Sequence, residues 1–199
     1  MELYDLDLSG NCYKVRLFAS LINLDLQIKP VNFLEGEHKK STLLSLNPFG
    51  ELPILTDGDV VLRDSQSILI YLAGKYAGEA WWPSTPHLQA EVSQWLFTAA
   101  NEIQHGPCAA RLVDKFNYPL DKDLAISKSI KILTLIDQHL NQREWLAINR
   151  PTIADIAVFP YIALAPEGGV DLSNYTNIHR WMNRIKDLDG FLKMPGIEM

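Results

Sequence analysis

Two short stretches carry residue types suited to gripping a peptide that has a free amino end. In Arg63-Asp64-Ser65-Gln66-Ser67-Ile68, Asp64 and Ser65 fall between a strand pattern and a helix pattern. Backbone N–H groups at a helix N-terminus attract a carboxylate. Asp64 can accept from an ammonium while the Ser65 hydroxyl and amide hold a carboxylate, so the pair reads the zwitterionic end of an amino acid. An ordinary N-cap would use one of these residues with no ligand at all. The second stretch, Leu46-Asn47-Pro48-Phe49-Gly50-Glu51-Leu52-Pro53-Ile54-Leu55, places Pro53 immediately before a strand. Proline cannot donate to a ladder. A cis bond at Leu52-Pro53 would turn the Leu52 amide and carbonyl out of the sheet, where an extended peptide can pair with them; a trans proline at a strand start is the plainer alternative.

Thiol and metal chemistry have less support. Cys12 and Cys108 are the only cysteines. Far apart and without a C-x-x-C, they imply neither a disulfide framework nor a zinc knuckle, and reduced thiols are expected. The five histidines are scattered, so no metal site is expected.

The elements that must position these residues follow from periodicity. Glu2-Leu3-Tyr4-Asp5-Leu6 alternates like a strand, and Val15, Phe18, Leu21 and Ile22 repeat like a helix. Leu26 to Phe33 is a second strand candidate, which makes a βαβ unit with a parallel pair and a right-handed crossover. Ile54-Leu55-Thr56, Asp57-Gly58 and Val60-Val61-Leu62 read as a hairpin closed at the Asp-Gly dipeptide. Ile68, Leu69, Leu72 and Tyr76 place a helix from Ser65 to Tyr76. The resulting order, β-α-β-(α)-β-β-α, is thioredoxin-like and predicts an α/β domain over residues 1–77.

Gly78 to Pro86 holds Pro83, Ser84, Thr85 and Pro86, residues that suit a linker, while Trp81 and Trp82 suggest that it packs down. Residues 87–199 read as a second, all-helical domain. Leu88, Val92, Trp95, Leu96, Ala99 and Ile103 form a long helix up to a kink at Gly106-Pro107. Leu124, Ile130, Leu133, Ile136 and Leu140 mark another. Thr152-Ile153-Ala154-Asp155 is a variant capping box opening a helix to Leu164, and Ile178, Trp181 and Ile185 mark the last one.

Composition sets the outer bounds. The chain has 199 residues, 47% hydrophobic and 21% charged, enough for two small cores and unlike a disordered chain. A net charge of -6 without Lys/Arg clusters argues against nucleic acid and anionic membranes as partners. No apolar run is long enough to span a bilayer, and no basic or apolar leader is seen at Met1, so a cytoplasmic location is expected.

Ser9-Gly10-Asn11-Cys12-Tyr13-Lys14-Val15-Arg16 completes a recognisable set. With a Ser before the first helix, Asn-Pro and Leu-Pro before the third strand, Asp-Ser at the third helix and Thr-x-x-Asp in the helical domain, the chain resembles the cytosolic glutathione transferases. The likeness is to bacterial members near the theta, delta, zeta and nu classes, and it spans essentially the whole length. It implies a glutathione transferase fold, glutathione as co-substrate without a metal, a small hydrophobic electrophile as the other partner, and a homodimer.

By that resemblance Ser9 takes the place of the catalytic serine, whose hydroxyl donates to the glutathione sulfur and favours the thiolate. Asn11 is a second donor candidate, as in nu-like disulfide reductases. Leu52 with Pro53, and Asp64 with Ser65, would bind the cysteinyl and γ-glutamyl parts. His38 matches a histidine that contacts the glycine end, although Gly50 stands where delta enzymes carry a second one. Asn101, Glu102, His105 and Arg111 are candidates for the acceptor site or for reaching across a dimer. Ser9-x-x-Cys12 also looks like a thioredoxin C-x-x-C whose attacking cysteine has become serine, which disfavours a dithiol mechanism and leaves Cys12 as a packed thiol. A zeta-like isomerase is a further reading, against which Ser9-Gly10-Asn11-Cys12 departs from the Ser-Ser-Cys-Ser run of those enzymes. A non-catalytic interaction module on the same fold is the rival from another class.

Overall fold

The computed structural model describes residues 1–197. Its sheet is built from β1 (Glu2–Asp5), β2 (Gln27–Pro30), β3 (Ile54–Asp57) and β4 (Val60–Arg63) in the order β2-β1-β3-β4. β1 pairs parallel with β2 and antiparallel with β3, with Leu3 opposite Ile28 and Leu55, and β3 pairs antiparallel with β4. The parallel pair requires a crossover, which α1 (Gly10–Leu21) supplies. α3 (Ser65–Leu72) packs beside α1. The short α2 (Ser41–Leu44) precedes β3.

Several boundaries differ from the sequence reading for local reasons. β2 stops at Pro30 because Val31 leaves the strand for a small cluster with Leu43 and Ile54, and Phe33 stacks on His38. The hairpin turn falls on Gly58 and Asp59, one residue later than expected, and Gly58 takes a φ of +59° that suits glycine. α3 ends at Leu72 and continues as a wider π turn over Ala73–Ala77.

The helical part comprises α4 (Pro86–Thr98), α5 (Ala109–Phe116), α6 (Lys122–His139), α7 (Ile153–Ala163) and α8 (Thr176–Lys186). Between α4 and α5 lies a π-wound segment, Ala99–Cys108, in which Gly106 leaves helical geometry at φ -103° and ψ -106° just before Pro107. Proline there lacks an amide to donate, which accounts for the break at the expected place. Segment 78–86 is pinned down: Trp81 packs edge-on against Phe18, and Arg150 donates to the Glu79 and Ala80 carbonyls.

The central element is α7, apolar on nearly every face and buried against α1, α3, α4 and α8. One apolar core therefore runs from Leu3 and Phe18 to Trp181. Each such large side chain contributes roughly 1.5–3 kcal/mol by leaving water. The helix begins with the expected capping box, in which Thr152 and Asp155 satisfy each other's backbone amides.

Candidate functional site

A cleft of about 590 Å³ opens where the β1–α1 turn, the loop before β3 and the start of α3 face the π segment and α5. Ser9, Asn11, His38, Leu52, Asp64 and Arg111 all line it. Those are six of the eleven residues singled out from sequence. A second opening of similar volume, among Gln138, His139 and Arg143, contains none of them.

Ser9 is the N-cap of α1. Its Oγ accepts from the Cys12 amide at 3.3 Å, and its backbone carbonyl accepts from the Tyr13 amide at 2.9 Å. A hydroxyl both accepts and donates, so Ser9 still carries a proton to donate while it caps the helix. Cys12 is fully buried, accepts from the Leu6 amide at 3.4 Å, and is pushed up to about 12 by burial and then by the Asp5 charge. Such a thiol is a packing group rather than a nucleophile.

Asn11 is held from behind. Its Oδ1 accepts from Lys14 Nζ at 2.9 Å and from Ser65 Oγ at 3.4 Å, while its Nδ2 makes no hydrogen bond among the described residues. Ser65 thus sits buried behind Asn11 and does not line the cleft itself; its hydroxyl is also close to the Gln66 amide oxygen. Asp64 caps α3 by accepting from the Ser67 amide at 2.9 Å, with φ +71° and ψ 122°. A non-glycine residue in that region is strained by roughly 1–3 kcal/mol, and such residues cluster at ligand clamps.

Leu52–Pro53 is cis, as the sequence reading anticipates, and Leu52 faces the cleft although Pro53 does not. Asn47, nearly buried, fixes the preceding loop by donating to the Glu51 carbonyl at 2.8 Å and accepting from the Phe49 amide at 3.1 Å. Gly50 turns at φ +59° against the Lys39 side chain, and any Cβ there would lie 2.7 Å from Lys39 Cδ. His38 is stacked on Phe33 at 3.9 Å and is only 9% exposed. Burial and then Lys39 lower its pKa, so the ring is neutral at neutral pH.

On the helical wall the structure departs from the reading at His105. His105 turns away and its Nδ1 donates to the Asn101 carbonyl, 2.8 Å distant, and Asn101 and Glu102 are exposed and bonded to each other. None of these three lines the cleft. Gln104, Cys108, Phe116, Tyr118 and Tyr161 do, and no motif announced them. Fully buried Lys14, behind Asn11, was also missed; it lies 5.4 Å from the centre of the Tyr161 ring, and burial brings its pKa down to about 8.

The same arrangement of elements is found in known proteins. The model of the glutathione S-transferase N-terminal domain matches residues 3–80, and that of the C-terminal domain matches residues 119–189. The chain belongs to the glutathione S-transferase family. It is 32% identical to glutathione S-transferase D7 of Anopheles gambiae, over 93% of this chain and 85% of that protein. Its likeness to glutathione S-transferase 3 of Zea mays is 34% over 78% and 73%. Among solved structures, a glutathione S-transferase from Pseudomonas fluorescens superposes with a TM-score of 0.90 at 30% identity, covering 97% of this chain and 98% of that one. A delta-class transferase of Nilaparvata lugens gives 0.86 at 30%, over 95% and 90%. The thioredoxin-like sheet followed by an all-helical part is therefore the transferase fold.

Proposed function

We propose that this transferase binds reduced glutathione in the cleft and activates its thiol for attack on an electrophilic carbon or a disulfide. The γ-glutamyl end lies toward Asp64 and the α3 terminus, the cysteinyl backbone along Leu52, and the glycyl end toward His38 and Lys39. The sulfur then faces Ser9. The observation that carries this reading is the position of Ser9: its Oγ accepts one bond as a helix cap, the residue lines the cleft, and a hydroxyl in that role still carries a proton to donate.

A thiol with a pKa near ~8.5 is mostly protonated at neutral pH. A hydroxyl donor at the positive end of α1 favours the anion, and each pKa unit is worth about 1.4 kcal/mol. The thiolate then forms a C–S bond while the leaving group departs with its electron pair, or forms a new S–S bond while the old one breaks. The protein adds proximity. The disulfide version gains weight from Asn11, whose oxygen is held by Lys14 so that its Nδ2 remains to donate to sulfur.

We also infer a cytoplasmic homodimer, in keeping with the family, in which the exposed Phe49, Val60 and Val61 would be covered. The deciding experiment is titration of glutathione with the protein while thiolate absorbance is followed. Tight binding with a lowered thiol pKa supports the reading; binding with an unmoved pKa reduces the protein to a non-catalytic module.

A further inference from the structure

We propose that the acceptor side of the cleft takes an electrophile carrying a carboxylate, which Arg111 receives. The inference rests on the transferase reading above and names the class of its second substrate. Arg111 lines the cleft from α5, yet it is only 2% exposed. Its Nε donates to Glu167 Oε2 at 2.5 Å, whereas its buried Nη2 has no hydrogen-bond partner among the described residues. A buried guanidinium N–H left unpaired is costly, and a planar carboxylate is the group whose geometry matches it.

Glu167 does not cancel this charge. The same carboxylate also accepts from Lys115, so two cations share one anion. Burial pushes the Glu167 pKa up, but Lys115 and Arg111 outweigh it and keep the group ionised. Among the described residues, the helical wall of the cleft holds no other charged side chain and no carboxylate. The wall that carries Arg111 is largely apolar and aromatic: the guanidinium carbon lies 5.2 Å from the centre of the Phe116 ring, and Leu112 and Tyr118 line the same cleft. An apolar body with one anionic group fits such a surface, while a wholly neutral acceptor leaves Nη2 unpaired.

The test uses a chloronitrobenzoate and the chloronitrobenzamide of the same ring pattern. In both, the glutathione sulfur bonds to the ring carbon and chloride leaves with the electron pair. Rates are divided by those with glutathione alone, which removes the intrinsic difference in reactivity. Wild type should favour the benzoate by about tenfold or more in kcat/KM, the size of one charge-assisted hydrogen bond. That preference should collapse in Arg111→Met and survive in part in Arg111→Lys.

Should Arg111→Met fail to fold, binding of benzoate and of benzamide to the glutathione-loaded wild type gives the same answer by calorimetry. Equal rates and equal binding for the two compounds, with turnover intact, overturn the carboxylate inference and leave the transferase reading standing. Benzoate that competes with glutathione also overturns it, because Arg111 would then serve the peptide's own carboxylate. Failure to bind glutathione at all overturns the transferase reading itself.

Discussion

The Nζ of Lys14, with no exposed surface, donates to Oδ1 of Asn11 at 2.9 Å, so a sealed amine orients the amide that faces the cleft. Burial disfavours the ammonium and lowers its pKa to about 8 from an ordinary 10.5. Below about 8 both folded and unfolded chains carry the proton, and the folded state bears the full cost of a buried charge. Between 8 and 10.5 only the unfolded chain stays protonated, so this group makes stability rise with pH.

Lys14→Met should therefore gain on wild type most below pH 8, by on the order of 3 kcal/mol before the loss of the Asn11 bond is counted. The gain should fade toward pH 10.5. Urea unfolding of both proteins across that range, each in a Cys108→Ala background, isolates the lysine, because the Cys108 thiol and the Lys14 amine otherwise influence each other's charge. A stability difference independent of pH would mean that the amine is not titrating in the folded protein.

Asp155 anchors the N-terminal end of α7. Fully buried, it accepts from the Leu146 amide at 3.0 Å, the Thr152 amide at 2.9 Å and Trp181 Nε1 at 2.9 Å. Asp155→Ala strands three buried donors and should cost more than about 3 kcal/mol, read as a lower urea midpoint. Asp155→Asn should restore only part, because its NH₂ would meet the Thr152 amide donor to donor. A cost under about 1 kcal/mol for the alanine variant would show that the network is not holding α7 in place.

How much of this could be read from the sequence depends on whether the signal was local. The Thr152–Asp155 box, the Gly106-Pro107 break and the Asp64 cap each lie within a few residues of one another, and local chemistry announced them. Lys14 did not announce itself, since a lysine among helical residues normally points to water and only packing against Tyr161 hides it. Ala100, Gln104, Cys108 and Arg111 face the cleft at steps of four, four and three, an ordinary helical stripe, and His105 falls off that stripe.

Asp64 serves as both cap and proposed ammonium acceptor, and two variants separate the roles. Asp64→Asn keeps an oxygen for the Ser67 amide and tolerates positive φ, so its melting temperature should hold while glutathione affinity falls by about 1 to 3 kcal/mol. Asp64→Ala should lose that affinity and also about 1 kcal/mol of stability. Ser65→Ala, which removes the hydroxyl behind Asn11, should weaken binding as well. Calorimetry beside thermal unfolding checks all three. Unchanged affinity in Asp64→Asn would leave that residue as a cap alone.

Ser9 decides whether the cleft activates the thiol or merely holds it. Ser9→Ala removes the donor and should raise the pKa of bound glutathione, slowing conjugation near neutral pH. The deficit should shrink as pH rises, because the thiol then ionises without help. Loss of the cap also costs about 1 kcal/mol of stability, but that damage would not be repaired by added base. Thiolate absorbance and rate against pH, for wild type, Ser9→Ala, Asn11→Ala and Cys12→Ala, distinguish the cases. Cys12→Ala should leave the thiol pKa in place, since its sulfur is buried and protonated. If Ser9→Ala leaves that pKa unmoved while Asn11→Ala shifts it, the donor is the amide held by Lys14, and the disulfide chemistry gains over conjugation.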